Sequence, residues 1–181
     1  MNVFVNRLWY LLAAWPLAIV CGCAGYQIGN AGLFPNHIDT VHVPVFESVS
    51  FRRNLGERLT EAVVKEIELR TPYKVVGPQH ADSILSGEIF GENKHVTVTA
   101  PTGEPRQSEV SMTVKVRWTE RNGSVLRDGA PIPLDVDTVD VLGTGKVTPE
   151  VGQSLTTAQQ TAIQRIASQI VSLMENPWGP P

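Results

Sequence analysis

Val110-Ser111-Met112-Thr113-Val114-Lys115-Val116-Arg117-Trp118-Thr119 is the stretch on which the fold turns. Val110, Met112, Val114, Val116 and Trp118 alternate strictly with Ser111, Thr113, Lys115, Arg117 and Thr119. Successive side chains of a strand point to opposite sides, so this period of two predicts a strand with one face in a core and the other polar. Arg121-Asn122-Gly123-Ser124 follows at once, and Asn-Gly predicts a hairpin whose two central residues take the positive φ values of a type I′ turn.

Working outward, the upstream segments change period. Thr40-Val41-His42-Val43-Pro44-Val45-Phe46 alternates and predicts a first strand over 39–46, with Pro44 placing it at an edge or a strand end. From Ser50 to Arg70 the apolar residues Phe51, Leu55, Leu59, Val63 and Ile67 recur every four positions, and Arg52, Arg53, Glu57, Arg58, Glu61, Lys65, Glu66 and Glu68 fill the rest. That is an amphipathic helix, capped by Ser50 and ended at Thr71-Pro72, because the residue before proline is pushed out of the α region. Tyr73–Val76 predicts a short strand. Two further strands are expected over 81–90 and 94–100, with Gly87 marking a bulge or a close backbone contact.

Downstream, a strand over 133–142 is expected, with a break in apolar parity between Val136 and Val139. Thr148-Pro149-Glu150 has the form of a helix start: a capping residue, proline at the first position and a carboxylate against the positive end. The helix is predicted to reach Glu175, striped by Leu155, Ala158, Ala162, Ile163, Ile166, Ile170 and Leu173. Its polar face is nearly uncharged, holding Gln153, Gln159, Gln160, Gln164, Gln169 and hydroxyls with Arg165 as the sole ion. Amides lose less than ions on leaving water, so another surface can cover such a face. A strand followed by an amphipathic helix opens an α/β or α+β domain.

The N-terminus carries its own signal. One cation, Arg7, precedes an apolar run from Leu8 to Val20, which small residues then close. This is the order of a secretory leader, and about 13 apolar residues fall short of the roughly 20 that span a bilayer. Two cysteines compete for the cleavage site. Cys21 follows the branched Val20, whereas Cys23 follows Val20, Cys21 and Gly22, an aliphatic residue, a small one and a glycine, as in a lipobox. Cys23 is therefore the expected lipidation site, carrying a covalent acyl group such as palmitate. The chain then divides into a leader over 1–22, a Gly/Asn/Pro-punctuated tether over 23–37, a single domain over 38–176 and a tail over 177–181. Buried methylenes contribute about 0.8 kcal/mol each, so two or more acyl chains hold a domain at a membrane.

Other chemistries find little footing. The net charge is −3, and loss of Arg7 with the leader makes it more negative, against the basic footprint that nucleic acid requires. His37, His42, His80 and His95 stand singly, without metal-ligand spacing. Gly143-Thr144-Gly145-Lys146 approaches a phosphate loop but has Asp140 where glycine is needed and Val147 where Ser or Thr is needed. Asp135, Asp137 and Asp140 are read as solvated turn and strand-end residues. No catalytic residue, metal site or cofactor is expected, apart from the lipid on Cys23.

Cys23-Ala24-Gly25-Tyr26, the tether residues Gly32-Leu33-Phe34-Pro35, the strand Val41 to Phe46 and the helix containing Arg53-Asn54-Leu55 together resemble the LptE family of lipopolysaccharide-assembly lipoproteins. An alanine separates Cys23 from Gly25, and Gln27-Ile28-Gly29 stands where a basic residue is more usual. The resemblance implies an α+β two-layer sandwich, two helices on a mixed sheet of about four strands. It implies a non-enzymatic protein lipid-anchored to the periplasmic side of the outer membrane, partnering an LptD-type β-barrel and binding lipopolysaccharide. Lys94, Arg106, Lys115 and Arg117 are the expected contacts for lipid phosphates or the partner. The competing expectation is another lipoprotein binding module, pilotin-like or cell-wall associated.

Overall fold

The structure, a computed structural model, describes residues 33–49, 54–126 and 138–175. Cys23, Ser50, Phe51, Arg52, Arg53, Asp135, Asp137 and the tail over 177–181 lie outside them. The elements in order are β1 (Thr40–His42), β2 (Glu47–Ser48), α1 (Leu55–Arg70), β3 (Lys74–Val75), β4 (Ser83–Thr99), β5 (Pro105–Glu120), β6 (Val139–Val147), a 3-10 turn (Pro149–Val151) and α2 (Leu155–Leu173). Two helices lie on a mixed sheet, the expected α+β layering. The sheet holds six strands rather than about four.

Its order is β3-β1-β4-β5-β6, with β2 farther along the β4 edge that β1 also occupies. β1, β2 and β3 run parallel to their neighbours, whereas β4–β5 and β5–β6 are antiparallel. The predicted strand over 39–46 is thus two short pieces on one edge. Pro44 lies between them, where no ladder donor is required. The predicted strands over 81–90 and 94–100 are one 17-residue strand, β4, that β5 templates along its length. A register shift between Ile89 and Gly91 sets Phe90 as the extra residue of a bulge. Gly87 makes the close contact: a Cβ there would lie 2.4 Å from the Phe46 ring and 2.7 Å from the Lys115 carbonyl oxygen.

Every even position of β5 from Val110 to Trp118 is buried. On α1, Leu55, Leu59, Val63 and Ile67 form the buried stripe. On α2 it is Ala158, Ala162, Ile163, Ile166 and Ile170, with Gln159, Ala167 and Val171 buried beside them. The α2 start differs from the sequence expectation. Thr148-Pro149-Glu150 opens only the 3-10 turn, which Gly152 ends at φ 75°, and Ser154 caps the true helix by accepting from the Thr157 amide at 3.1 Å. The hairpin after β5 also differs. Gly123 has φ 89° while Asn122 does not have positive φ, and Glu120 pairs with Ser124 around three loop residues. That is a type I turn closed by a left-handed glycine rather than type I′, because the loop is one residue longer than Asn-Gly alone requires.

Phe34, read in sequence as tether, is buried. Its ring meets Tyr73 edge-on with centroids 5.6 Å apart, and Tyr73 in turn lies 6.1 Å from Trp118. Burial pushes the Tyr73 phenol well above its usual range, so it stays neutral.

At the β1–β4 junction, Asp82 Oδ2 accepts from the Thr40 hydroxyl at 2.6 Å, the Thr40 amide at 3.0 Å and the Asp39 amide at 3.3 Å. The Thr40 hydroxyl is the largest cause, with the Asp39 amide next, holding the Asp82 carboxyl below its ordinary value. A lowered folded pKa contributes stability that is fully present above the unfolded value of about 3.9 and is lost as pH falls through the folded one. Urea unfolding midpoints followed from pH 6 to pH 2 should therefore fall more steeply for the wild type than for Asp82→Asn. Parallel curves would refute this assignment.

Candidate functional site

Both helices lie on one side of the sheet, so the odd positions of β5 face away from them. Lys115 and Arg117 stand there, with Ser111 and Thr113 on the same face. Register sets Lys115 between Glu88 of β4 and Asp140 of β6, and Arg117 opposite Ser86. The Lys115 amine lies 4.2 Å from the centre of the Phe90 ring, within cation–π range. Val45, Glu47, Glu88, Lys115 and Arg117 line a shallow depression on this face. Phe90 and Leu142 remain 59% and 54% exposed, large apolar groups that a solvated face does not need.

The four basic residues singled out in sequence do not come together. Lys94 lies opposite the buried Val110, on the helix side of β4. Arg106 has the even parity of β5, also the helix side, and its guanidinium pairs with Glu150 of the 3-10 turn. Lys115 and Arg117 occupy the opposite face, which neither described helix covers. Strand alternation separates Arg106 from Lys115 and Arg117, and the bulge at Phe90 turns Lys94 to the helix side. It also places Phe90 outward beside Leu85 and Ile89, the readable signal for its exposure.

Part of the polar surface of α2 is engaged within the domain, while Gln160, Gln164 and Gln169 remain exposed. The Gln159 amide donates to Glu92 at 2.6 Å, and Arg58 donates to Gln160 at 2.8 Å. The Arg70 guanidinium donates to the Ser168 and Ser172 hydroxyls at 3.0 and 3.1 Å and pairs with Glu175 at 2.9 Å. Arg165 donates to the Thr144 carbonyl at 2.8 Å. Gln160, Ser168 and Ser172 accept the cations of α1 across the inter-helix groove, a long-range pairing that no local pattern reveals.

Among the described residues no group of three His, Cys, Asp or Glu converges to hold a metal ion. His37 pairs with Glu120 at 3.2 Å and His95 with Glu109 at 3.5 Å, both near the surface. Hydrogen bonds from Ser124 and then Asn122 lower the Glu120 carboxyl pKa. No helix of the described residues is long and apolar enough to cross a membrane.

The layered domain has known counterparts. Residues 38–176 match the profile of the LptE family, described as lipopolysaccharide-assembly. The chain belongs to the LptE family. No curated protein matches it in sequence. Among solved structures, uncharacterized lipoprotein B of Nitrosomonas europaea is 15% identical with a TM-score of 0.50, over 81% of this chain and 90% of that one. A hypothetical protein from Chlamydia trachomatis is 10% identical with a TM-score of 0.50, over 75% of this chain and 94% of that one. At such identities these two share the fold alone. For an LptE-family chain, the uncovered β4–β5–β6 face and its apolar residues are the candidate contact surface.

Proposed function

We propose that this LptE-family chain is an outer-membrane lipoprotein, acylated on Cys23 and facing the periplasm, that partners an LptD-type β-barrel and assists lipopolysaccharide assembly. Family membership over residues 38–176 is the observation that carries the reading. The uncovered sheet face supports it, since Phe90, Leu142 and Val45 leave water only when another surface covers them. The work is binding, with no catalytic step, and the acyl group on Cys23 is its one non-protein part.

Lys115 and Arg117 are the cations of this face that would meet a lipid phosphate, and Lys94 and Arg106 would act separately on the helix side. Because Glu47, Glu88 and Asp140 border Lys115, the field is mixed rather than cationic. That favours a protein partner with both charge signs over a phosphate cradle. A photo-crosslinking residue at Leu142 is expected to capture a large outer-membrane barrel. Capture of secretion or cell-wall components instead would overturn the reading.

A further inference from the structure

Asn122-Gly123-Ser124 carries a second signal besides the turn it forms. Asparagine followed two places later by serine, with no proline between, is the acceptor pattern for N-linked glycosylation of an exported chain. Of the chain's asparagines only Asn122 has Ser or Thr two places on. Glu120, two places before it, supplies the acidic residue that bacterial transferases require in addition.

The hairpin presents this pattern at its tip. Asn122, Gly123 and Ser124 are exposed, and the backbone reverses around them with Gly123 at φ 89°. Backbone bonds hold the reversal from below: the Glu120 amide donates to the Ser124 carbonyl and the Arg121 amide to the Asp82 carbonyl, both at 2.8 Å. At the tip the side chains hold one another. Asn122 Nδ2 donates to Glu120 Oε2 at 2.8 Å, and Asn122 Oδ1 accepts from the Ser124 amide at 2.8 Å. The Ser124 hydroxyl lies 2.7 Å from Asn122 Oδ1 and 2.8 Å from Glu120 Oε2. An Asx turn needs only the asparagine oxygen and the amide two residues on. The hydroxyl and the carboxylate are extra to it, and they are the other two members of the acceptor pattern.

We propose that Asn122 is the acceptor for an N-linked glycan, transferred from a polyprenyl pyrophosphate carrier by a bacterial oligosaccharyltransferase. A bond forms between Asn122 Nδ2 and C1 of the first sugar. The C1–O bond to the pyrophosphate breaks, its electron pair leaving with the carrier, and the amide nitrogen gives one proton to a carboxylate of the transferase. Water competes for the exposed side-chain bonds at the tip, so Asn122 can leave them while the backbone bonds keep the turn. His37 Nε2 stands 3.2 Å from Glu120 Oε1, so the glycan would project beside the end of the tether. The inference rests on the periplasmic location proposed above and needs nothing from the barrel partnership.

The full-length chain, purified from cells that lack a transferase, is mixed with a bacterial oligosaccharyltransferase and a polyprenyl-pyrophosphate-linked oligosaccharide. Intact-mass spectrometry should show the gain of one glycan, and fragmentation should place it on Asn122. Ser124→Thr should keep the modification. Glu120→Gln and Ser124→Ala should lose most of it, and Asn122→Asp, which keeps the turn's oxygen but not the nucleophilic nitrogen, should lose all of it. A peptide of residues 118–126 is the unfolded control and should be modified. An unmodified chain beside a modified peptide would overturn the inference, because the turn would then close the site. So would modification that survives Asn122→Asp, or chain and peptide both untouched by a transferase that modifies its standard acceptor. Expression with the chain's own leader in cells holding the transferase reads location separately. Modification in the purified system but not in those cells would refute export and leave the acceptor site standing.

Discussion

Replacing Gly145 by valine is expected to destabilise the domain by about 3 kcal/mol, the upper part of the overpacking range. A Cβ on Gly145 would lie 2.0 Å from the Ala158 carbonyl oxygen, 2.6 Å from its carbon and 3.0 Å from its Cα. All three are helix backbone atoms, so no side-chain rotation relieves the contact. One inward position earlier, a Cβ on Gly143 would meet the Ala162 carbonyl oxygen at 2.5 Å. Gly143 and Gly145 on β6 and Ala158 and Ala162 on α2 therefore form a small-residue seam, along which helix and strand approach backbone to backbone. Valine at 145 has to lift the first half of α2 away from Val110 and Val147, the apolar pair beneath Ala158. Urea denaturation measures the change, with Leu142→Val on the outward side of the same strand as a control expected within about 0.5 kcal/mol. A loss below about 1 kcal/mol for Gly145→Val would mean that α2 does not rest on this seam.

The second large effect concerns location. In Cys23→Ser the thiol that would carry the acyl groups is gone, and a hydroxyl cannot replace it in thioether formation. Two acyl chains anchor stably where a single chain binds only marginally, so loss of all of them should shift the protein almost completely from membrane to soluble fractions. Folding should be unaffected, because the described residues from Phe34 onward supply a contiguous apolar core of their own. Fractionation together with circular dichroism reads both parts. Retention in the membrane would refute anchoring through Cys23, and unfolding would refute the independence of domain and anchor.

The elements legible in sequence are those whose periodicity is long and locally complete. Val110 through Trp118 and Leu55 through Ile67 reveal their buried faces because each stripe needs only its own spacing. Other features depend on distant partners. Gly91-Glu92-Asn93 has weak strand propensity, yet β4 runs through it because β5 offers a continuous ladder opposite. Glycine near a lysine in Gly143-Thr144-Gly145-Lys146 resembles a phosphate loop only until α2 is seen resting on the two glycines. Thr148-Pro149-Glu150 has every local feature of a helix start, but Gly152 at φ 75° breaks the helix before it propagates.

The candidate surface divides in the same way. That Lys115 and Arg117 share a face follows from the period of two. The separation of Arg106 from them follows from the same parity, whereas Lys94 is turned to the helix side by the bulge at Phe90. The engagement of the α2 polar face by Arg58 and Arg70 was not legible, because those contacts join residues about one hundred positions apart.

The proposed function requires the chain to sit against an outer-membrane barrel. Affinity purification of the tagged, acylated chain from outer membranes in mild detergent, with mass spectrometry of whatever accompanies it, tests this most directly. The expected result is one large β-barrel protein of LptD type recovered in a one-to-one ratio, with the acyl mass on Cys23. Recovery of the chain without a barrel, or repeatedly with secretion or peptidoglycan-bound proteins in its place, would contradict it.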